Sequence, residues 1–562
     1  MPGARLPTLP GFKPGYRVPV TCAIPGAPSK PKPTSCSFVS SAAADPRGLG
    51  ARRWWALGAL NLAVLAVGLD GTVLSVALPT LAGALHASES DLQWFSSGYL
   101  LVLAASMLPA SVLGDRYGRK KVLLYSLALF AVGSAACAAA SSSGEFIAAR
   151  VLLGFAGAGI VVMSLAAITS LFSEQERPRA IGIWAAVNFL ALPVGPILGG
   201  WILTNYWWGW VFLLNVPVAL VGLIAAFRLL PEARAHERPR LDLVGMGASV
   251  VGLVALVYGL IQAGEHGWSS PAAVLEMITG AAVLALFLWW ESRLSRRPDR
   301  QPLVDVALFS SRSYTWGVIL AAVAIFAMIG VLFTMPQYFQ GVLGTSAMGS
   351  GVRLLPLIGG LLVAAVSADR IAHLAGAKVT VALGFAILAT GLLIGTATSV
   401  SSSGNFIAAW MAIVGVGMGL AMATSISAAL SELSEEQSGV GSAVLQAVNK
   451  VPLGTAVLGS VLSSAYLARL NVSVLPASAA SAARASIFGA VTVAHKLHSS
   501  ALLNSGRTAF VHGMDLALLV AGCTAALGVV LAAVFLPRTS ASTEDEGSDL
   551  RIERHGDPVG EL

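Results

Sequence analysis

Asp70 is the residue with the clearest chemical purpose, because it is the one charged group in the apolar run from Trp54 to Leu81. A carboxylate at membrane depth costs about 2.5–3.5 kcal/mol on insertion scales, so its retention points to function. It can bind and release a proton, or hold a basic group on a neighbouring helix. Arg150 is that candidate partner, lying about five residues inside another apolar run at a depth similar to Asp70. A contact made in one conformation and lost in another would couple proton binding to movement. The alternative is a static ion pair tying two helices together.

Other polar groups inside apolar runs are second-rank candidates. Asp515 could be a second proton or cation site, although it and Glu276 sit near run ends where either can simply face water. Lys450, beside Gln446 and Asn449, falls near mid-depth and could meet a carboxylate or an anionic substrate group. Asn61, Asn188, Gln262 and Gln337 can contact substrate, or hydrogen-bond between helices. Met328, Met335, Phe326 and Phe333 suit a greasy pocket or ordinary core. His495, His498 and His512 cluster along the chain, but no Cys or carboxylate completes a metal set.

The elements that must position these groups are transmembrane helices. Of 562 residues, 56% are hydrophobic and 11% charged, and the mean hydropathy is +0.76. Soluble domains carry about 25% charged residues. Fourteen spans are predicted, at about 54–78, 94–113, 122–142, 146–171, 180–203, 209–230, 242–263, 271–290, 314–338, 350–368, 378–399, 405–430, 440–466 and 511–536. The net charge of +7 does not point to nucleic acid, because the basic residues fall in alternate loops. Arg116, Arg119, Lys120 and Lys121 follow the second span, and Arg234, Arg238 and Arg240 the sixth. The loops after spans one, three, five, seven and eleven have no Lys or Arg. That asymmetry puts both termini in the cytoplasm of a multi-pass plasma (inner) membrane protein. Four scattered cysteines make no disulfide framework.

A repeat supports a two-part architecture. Ser141–Arg150 reads SSSGEFIAAR and Ser401–Trp410 reads SSSGNFIAAW, each opening a span, the fourth and the twelfth. Two six-helix bundles with an inserted helix pair explain that offset. The expected organisation is a disordered Pro-rich tail (1–53), a first bundle (54–230), two linker helices (231–313), a second bundle (314–537) and a disordered acidic tail (538–562).

The loop after span two reads Ser-Val-Leu-Gly114-Asp115-Arg116-Tyr-Gly118-Arg119-Lys120. Its glycines permit a tight turn, Asp115 can cap a helix or pair with an arginine, and the basic residues hold the loop at the membrane surface. This string resembles the signature between spans two and three of the major facilitator superfamily. Leu69–Pro79, Arg150 followed by Gly154, and Pro193-Val-Gly195-Pro196-Ile-Leu-Gly199-Gly200 resemble motifs of its fourteen-span drug:proton antiporter branch, the EmrB/QacA-type multidrug exporters. Met335–Gln340, Gly351–Pro356 (with Arg353) and Gly439–Ala443 resemble second-half stretches. Departures occur at Ser111, Ser75 and Leu153, where the pattern usually has Gly, Asn and Gln.

The resemblance implies an all-α integral membrane protein with the major facilitator fold. It implies a secondary active transporter rather than an enzyme, driven by a proton gradient without a cofactor. Asp70 and Arg150 would couple the proton, the Gly114–Arg119 loop would switch conformation, and the Pro193–Gly200 run would act as a hinge between the bundles. Substrates would be amphipathic, cationic or zwitterionic drugs and antibiotics, handled by a monomer among membrane lipids. A lipid or secondary-metabolite exporter of the same fold is the alternative. A polytopic enzyme or channel would need clustered catalytic groups or a pore filter, and the sequence has neither.

Overall fold

The computed structural model describes residues 52–172, 176–230, 242–296, 306–431, 435–473 and 475–537. Residues 1–51 and 538–562 of the tails expected to be disordered, and the whole basic loop 231–241, lie outside the described residues; Arg52 and Arg53 already belong to the first helix.

The first group of helices is α1 (Arg52–Ala84), α2 (Glu89–Tyr117), α3 (Arg119–Ala139), α4 (Ser143–Leu171), α5 (Arg177–Asn205), α6 (Trp210–Leu213) and α7 (Asn215–Leu229). A hairpin of α8 (Leu243–His266) and α9 (Pro271–Leu294) follows. The second group is α10 (Arg312–Gln337), α11 (Ala347–Arg353), α12 (Leu355–Ala375), α13 (Ala377–Gly395), α14 (Gly404–Leu430), α15 (Glu435–Lys450), α16 (Leu453–Arg469), α17 (Ala477–Ala485), α18 (Ile487–Lys496) and α19 (Ser500–Phe535). In lipid each backbone amide must be bonded within its own segment, which is why these apolar runs are helical. Serines mark where several of them begin: the hydroxyls of Ser88, Ser142, Ser311, Ser346, Ser403, Ser486 and Ser499 each accept a bond from an amide in the first turn of the helix that follows.

Twelve helical segments among the described residues are long and apolar enough to cross a membrane. With α2 and α5, each 29 residues long and so about 43 Å, the count reaches fourteen. Three predicted spans are broken. The sixth divides at Leu214, the tenth at Leu354 and the thirteenth at Val451–Pro452. Pro217, Pro356 and Pro452 account for the breaks, because each lacks the amide that would donate one turn back. The last span begins at Ser500, eleven residues before the expected 511. Two short helices, α17 and α18, occupy what reads as a loop. At 9 and 10 residues, neither is long enough to cross the membrane.

One apolar core draws on α1–α7 together with Phe333 and Ala447. A second draws on α10–α14 and α16–α19 together with Val76. The α8–α9 hairpin lies along the seam between them: Ser460 of α16 donates to the Leu260 carbonyl (2.6 Å), and Tyr258 packs 6.0 Å from Trp94 of α2. The helix ends at Arg116, Arg119, Lys120 and Arg293 form a basic end, and Trp207, Trp208 and Trp210 mark the opposite, tryptophan end.

Candidate functional site

Asp70 lies on the inward stripe of α1, three residues after Val67 and four before Leu74, all buried. Arg150 of α4 has no exposed surface, and its Nη1 donates to Asp70 Oδ2. Its Nε donates to the Phe95 carbonyl of α2 (3.0 Å), and its guanidinium carbon sits 4.3 Å from the Tyr99 ring centroid. Tyr99 is held by donating its hydroxyl to the Val67 carbonyl (3.1 Å). The other carboxylate oxygen of Asp70 accepts from Asn215 Nδ2 of α7 (3.2 Å). Four helices therefore converge on one ion pair. Arg150 Nη2 is buried with no partner, so this guanidinium is held by fewer bonds than it can make.

Asn215 and Tyr99 were not among the candidates read from the sequence. Asn215 was legible in principle: it is a lone amide inside an apolar run, two residues before a proline. The position of Arg150 in the repeat is taken by Trp410 in the second copy, also fully buried. The charge is thus confined to the first group of helices at this position.

The motif loop joins α2 to α3 through Gly118, whose φ of +113° closes one helix and opens the next. That backbone conformation is strained for any residue with a side chain. A Cβ at Gly114 would overlap Met163, and Arg119 Nη1 reaches the Ala166 carbonyl at 3.4 Å, so the loop is seated on α4. Arg116 packs 5.7 Å from the Tyr117 ring. The side chains of Asp115 and Pro193 lie outside the described residues.

The glycines of α5 serve two neighbours. Gly195 and Gly199 abut Thr72 and Val73 of α1, close to Asp70 in the chain. Gly200 faces α11 of the second group, where an added Cβ would lie 2.8 Å from both the Ala347 carbonyl oxygen and Met348 Cα. Pro196 presents its carbonyl to Gly351 on the same helix. Thr72, Pro196, Met328, Leu332, Leu357, Ile358 and Leu361 line a narrow, largely apolar gap of about 10 Å³ in this seam.

Three hydrogen bonds join the two groups in the half of the seam toward the tryptophan end. Gln337 donates to Glu89 (3.1 Å), Gln340 to the Val76 carbonyl (3.1 Å) and the Met348 amide to Thr204 (3.3 Å), while Ser460 Oγ lies 3.4 Å from Gln93 Oε1. Gln337, read as a substrate contact or an interhelical bond, is fully buried and makes the interhelical bond to Glu89. Asn188 donates to Trp184 of its own helix (3.1 Å), and Arg353 is exposed at the end of α11. Asp515 is partly buried, with Oδ1 lacking a partner. It lies fifteen residues into α19, deeper in its helix than expected. Gln446 and Lys450 lie in the last turns of α15, above the break at Pro452. The partners of Asp70 are Arg150 and Asn215, so these second-rank candidates are not drawn into that site.

Residues 60–457 match the model of the Major Facilitator Superfamily. The chain belongs to the major facilitator superfamily. It is a membrane-embedded transporter and not an enzyme. It is 34% identical over 521 residues to the tetracenomycin C resistance and export protein of Streptomyces glaucescens, covering 89% of this chain and 94% of that one. It is 32% identical to the methyl viologen resistance protein SmvA of Salmonella typhimurium (84% and 96% covered) and 32% identical to the multidrug efflux pump LfrA of Mycolicibacterium smegmatis (85% and 96%). Among solved structures, a bacterial homologue of the lysosomal transporter Spinster aligns with a TM-score of 0.62 at 14% identity, over 88% of this chain and 100% of that one. The D-xylose–proton symporter aligns at 0.55 and 16% identity, over 87% and 99%. These two establish the fold alone.

Proposed function

We propose that this transporter expels amphipathic, drug-like small molecules in exchange for protons, by alternating access of a site between its two groups of helices. The observation that carries the reading is the buried Asp70–Arg150 pair, with Asn215 on the free carboxylate oxygen and Tyr99 under the guanidinium. In this scheme the basic end faces the cytoplasm, as the loop charges favour. A proton arriving from outside neutralises Asp70, its hold on Arg150 weakens, and α1 is freed to move against α4 and α5. The small residues of α5 and α11 are the surfaces on which the two groups pivot, and the Gly114–Arg119 loop resets on α4. Substrate would be met where the seam opens beside Thr72 and Pro196, Thr72 lying two residues after Asp70 on α1.

The energetics are adequate. One charge moved inward across 100 mV supplies about 2.3 kcal/mol, and each pH unit about 1.4 kcal/mol more. The names of the relatives support export of drugs and antibiotics. The tetracenomycin C relative favours a second reading, in which the cargo is a secondary metabolite of the producing cell. A monomer and a cationic or zwitterionic cargo complete the proposal.

The test uses inverted membrane vesicles with an imposed pH gradient. Asp70→Asn should insert at wild-type levels and lose gradient-driven uptake of methyl viologen or ethidium. Uptake by that variant at the wild-type rate would refute the coupling role.

A further inference from the structure

Glu89 is a second buried carboxylate, and the scheme built on Asp70 does not use it. It is 5% exposed in the first turn of α2 at the tryptophan end, facing Gln337 of α10, which has no exposed surface. Gln337 Nε2 donates to Glu89 Oε1 (3.1 Å) and to the Phe333 carbonyl (3.3 Å), while Gln337 Oε1 is buried with no donor. No cation forms an ion pair with Glu89 among the described residues. The neighbouring titratable groups are otherwise engaged. Tyr466 of α16 gives its hydroxyl to the Ala483 carbonyl (2.8 Å), and Asp91 is bound to Ser88 in the cap of α2. His86 is exposed.

An ionised carboxylate only accepts hydrogen bonds, so beside an amide it leaves the amide oxygen unserved. A carboxylic acid and a primary amide are complementary: N–H to carboxyl oxygen one way, O–H to amide oxygen the other. One proton would therefore satisfy the orphaned Gln337 Oε1 and remove an unpaired buried charge together. The two residues belong to different groups of helices, so the pair exists only while this end of the seam is shut. We propose that Glu89 and Gln337 form a proton-dependent latch, in which the protonated acid holds the tryptophan end closed and its ionisation releases it.

This rests on the antiporter reading and adds to it. The latch proton enters from, and returns to, the aqueous phase at the tryptophan end, so it crosses no membrane and adds nothing to the exchange stoichiometry. It makes closure on that side respond to external pH.

The experiment is a distance measurement between spin labels on exposed positions, Ala139→Cys and Ser401→Cys, with the native cysteines replaced, in purified full-length protein in lipid nanodiscs. An Asp70→Asn parent isolates the latch from the first proton site. The expected result is a short distance at pH 5 that gives way to a longer one at pH 8. Glu89→Gln, a mimic of the neutral acid, should hold the short distance at both pH values, and Gln337→Leu should favour the long one at both. A parent that does not move with pH, or a Glu89→Gln variant that still follows it, overturns the latch. The antiporter reading fails separately, if Asp70→Asn vesicles transport.

Discussion

Removing the acid of the Asp70–Arg150 pair should destabilise the protein more than removing the base. In Asp70→Asn the guanidinium stays buried, with Nε on the Phe95 carbonyl, one face on Tyr99 and Nη2 already without a partner. Arginine cannot shed its charge. A cation–π contact returns about 2 kcal/mol when desolvated, against about 3–5 kcal/mol for stranding one member of a buried pair. In Arg150→Leu the remaining carboxylate can take up a proton and keep Asn215 as its donor, and leucine suits the apolar surroundings. The double variant strands no charge at all.

The expected order of stability is therefore Asp70→Asn lowest, Arg150→Leu above it and the double variant equal to or above Arg150→Leu. At about 2.1 cal/mol/K per residue of unfolding entropy, a chain of roughly 500 ordered residues loses about 3–5 °C of melting temperature for that penalty. Thermal unfolding of the four purified proteins in one detergent at one pH measures it. A double variant that melts at or below Asp70→Asn would show that the two side chains do not depend on each other, and the argument for a coupled pair would fail.

Other outcomes follow from the same contacts. Asn215→Leu removes a bond to a charged group, worth about 1.5–3 kcal/mol, and should lower the melting temperature by less than Asp70→Asn does. Gly200→Val should insert normally yet lose transport, because its side chain meets α11 where the seam closes; wild-type dye efflux by this variant would refute a close contact there. Gly118→Ala places a Cβ on a backbone at φ +113°, a strain of about 1–3 kcal/mol, and should reduce both thermal stability and transport rate.

The span pattern was legible because lipid enforces it: a run of about twenty apolar residues has few alternatives to a helix. Asp70 and Arg150 stood out for the same reason, as charges where charges are expensive. What the sequence hid was pairing between helices far apart in the chain. Glu89 reads as a loop acid because it sits one residue after a serine cap, and only the packing of α10 against α2 buries it. Gln337 reads as a substrate contact or an interhelical bond because an amide in a span can face either a cavity or a neighbour. The breaks at Leu214, Leu354 and Pro452 were marked by prolines, but a proline inside a span kinks as often as it divides, and neighbouring helices decide which. Asp515 appeared nearer a helix end because α19 runs eleven residues beyond its apolar stretch.

The repeat makes the asymmetry of the site informative. Ser142 and Ser403 cap α4 and α14 in the same manner, and the two helices carry Arg150 and Trp410 at the same point of the repeated segment. Both side chains are fully buried, but Trp410 Nε1 has no partner and needs no counter-charge. A second ion pair in α14 would be a second buried carboxylate to protonate in each cycle. One proton moving down 100 mV and one pH unit supplies close to 4 kcal/mol. On the proposed reading, one buried pair is what one proton can open. The neutral tryptophan in the second copy is buried without adding a second charge to neutralise.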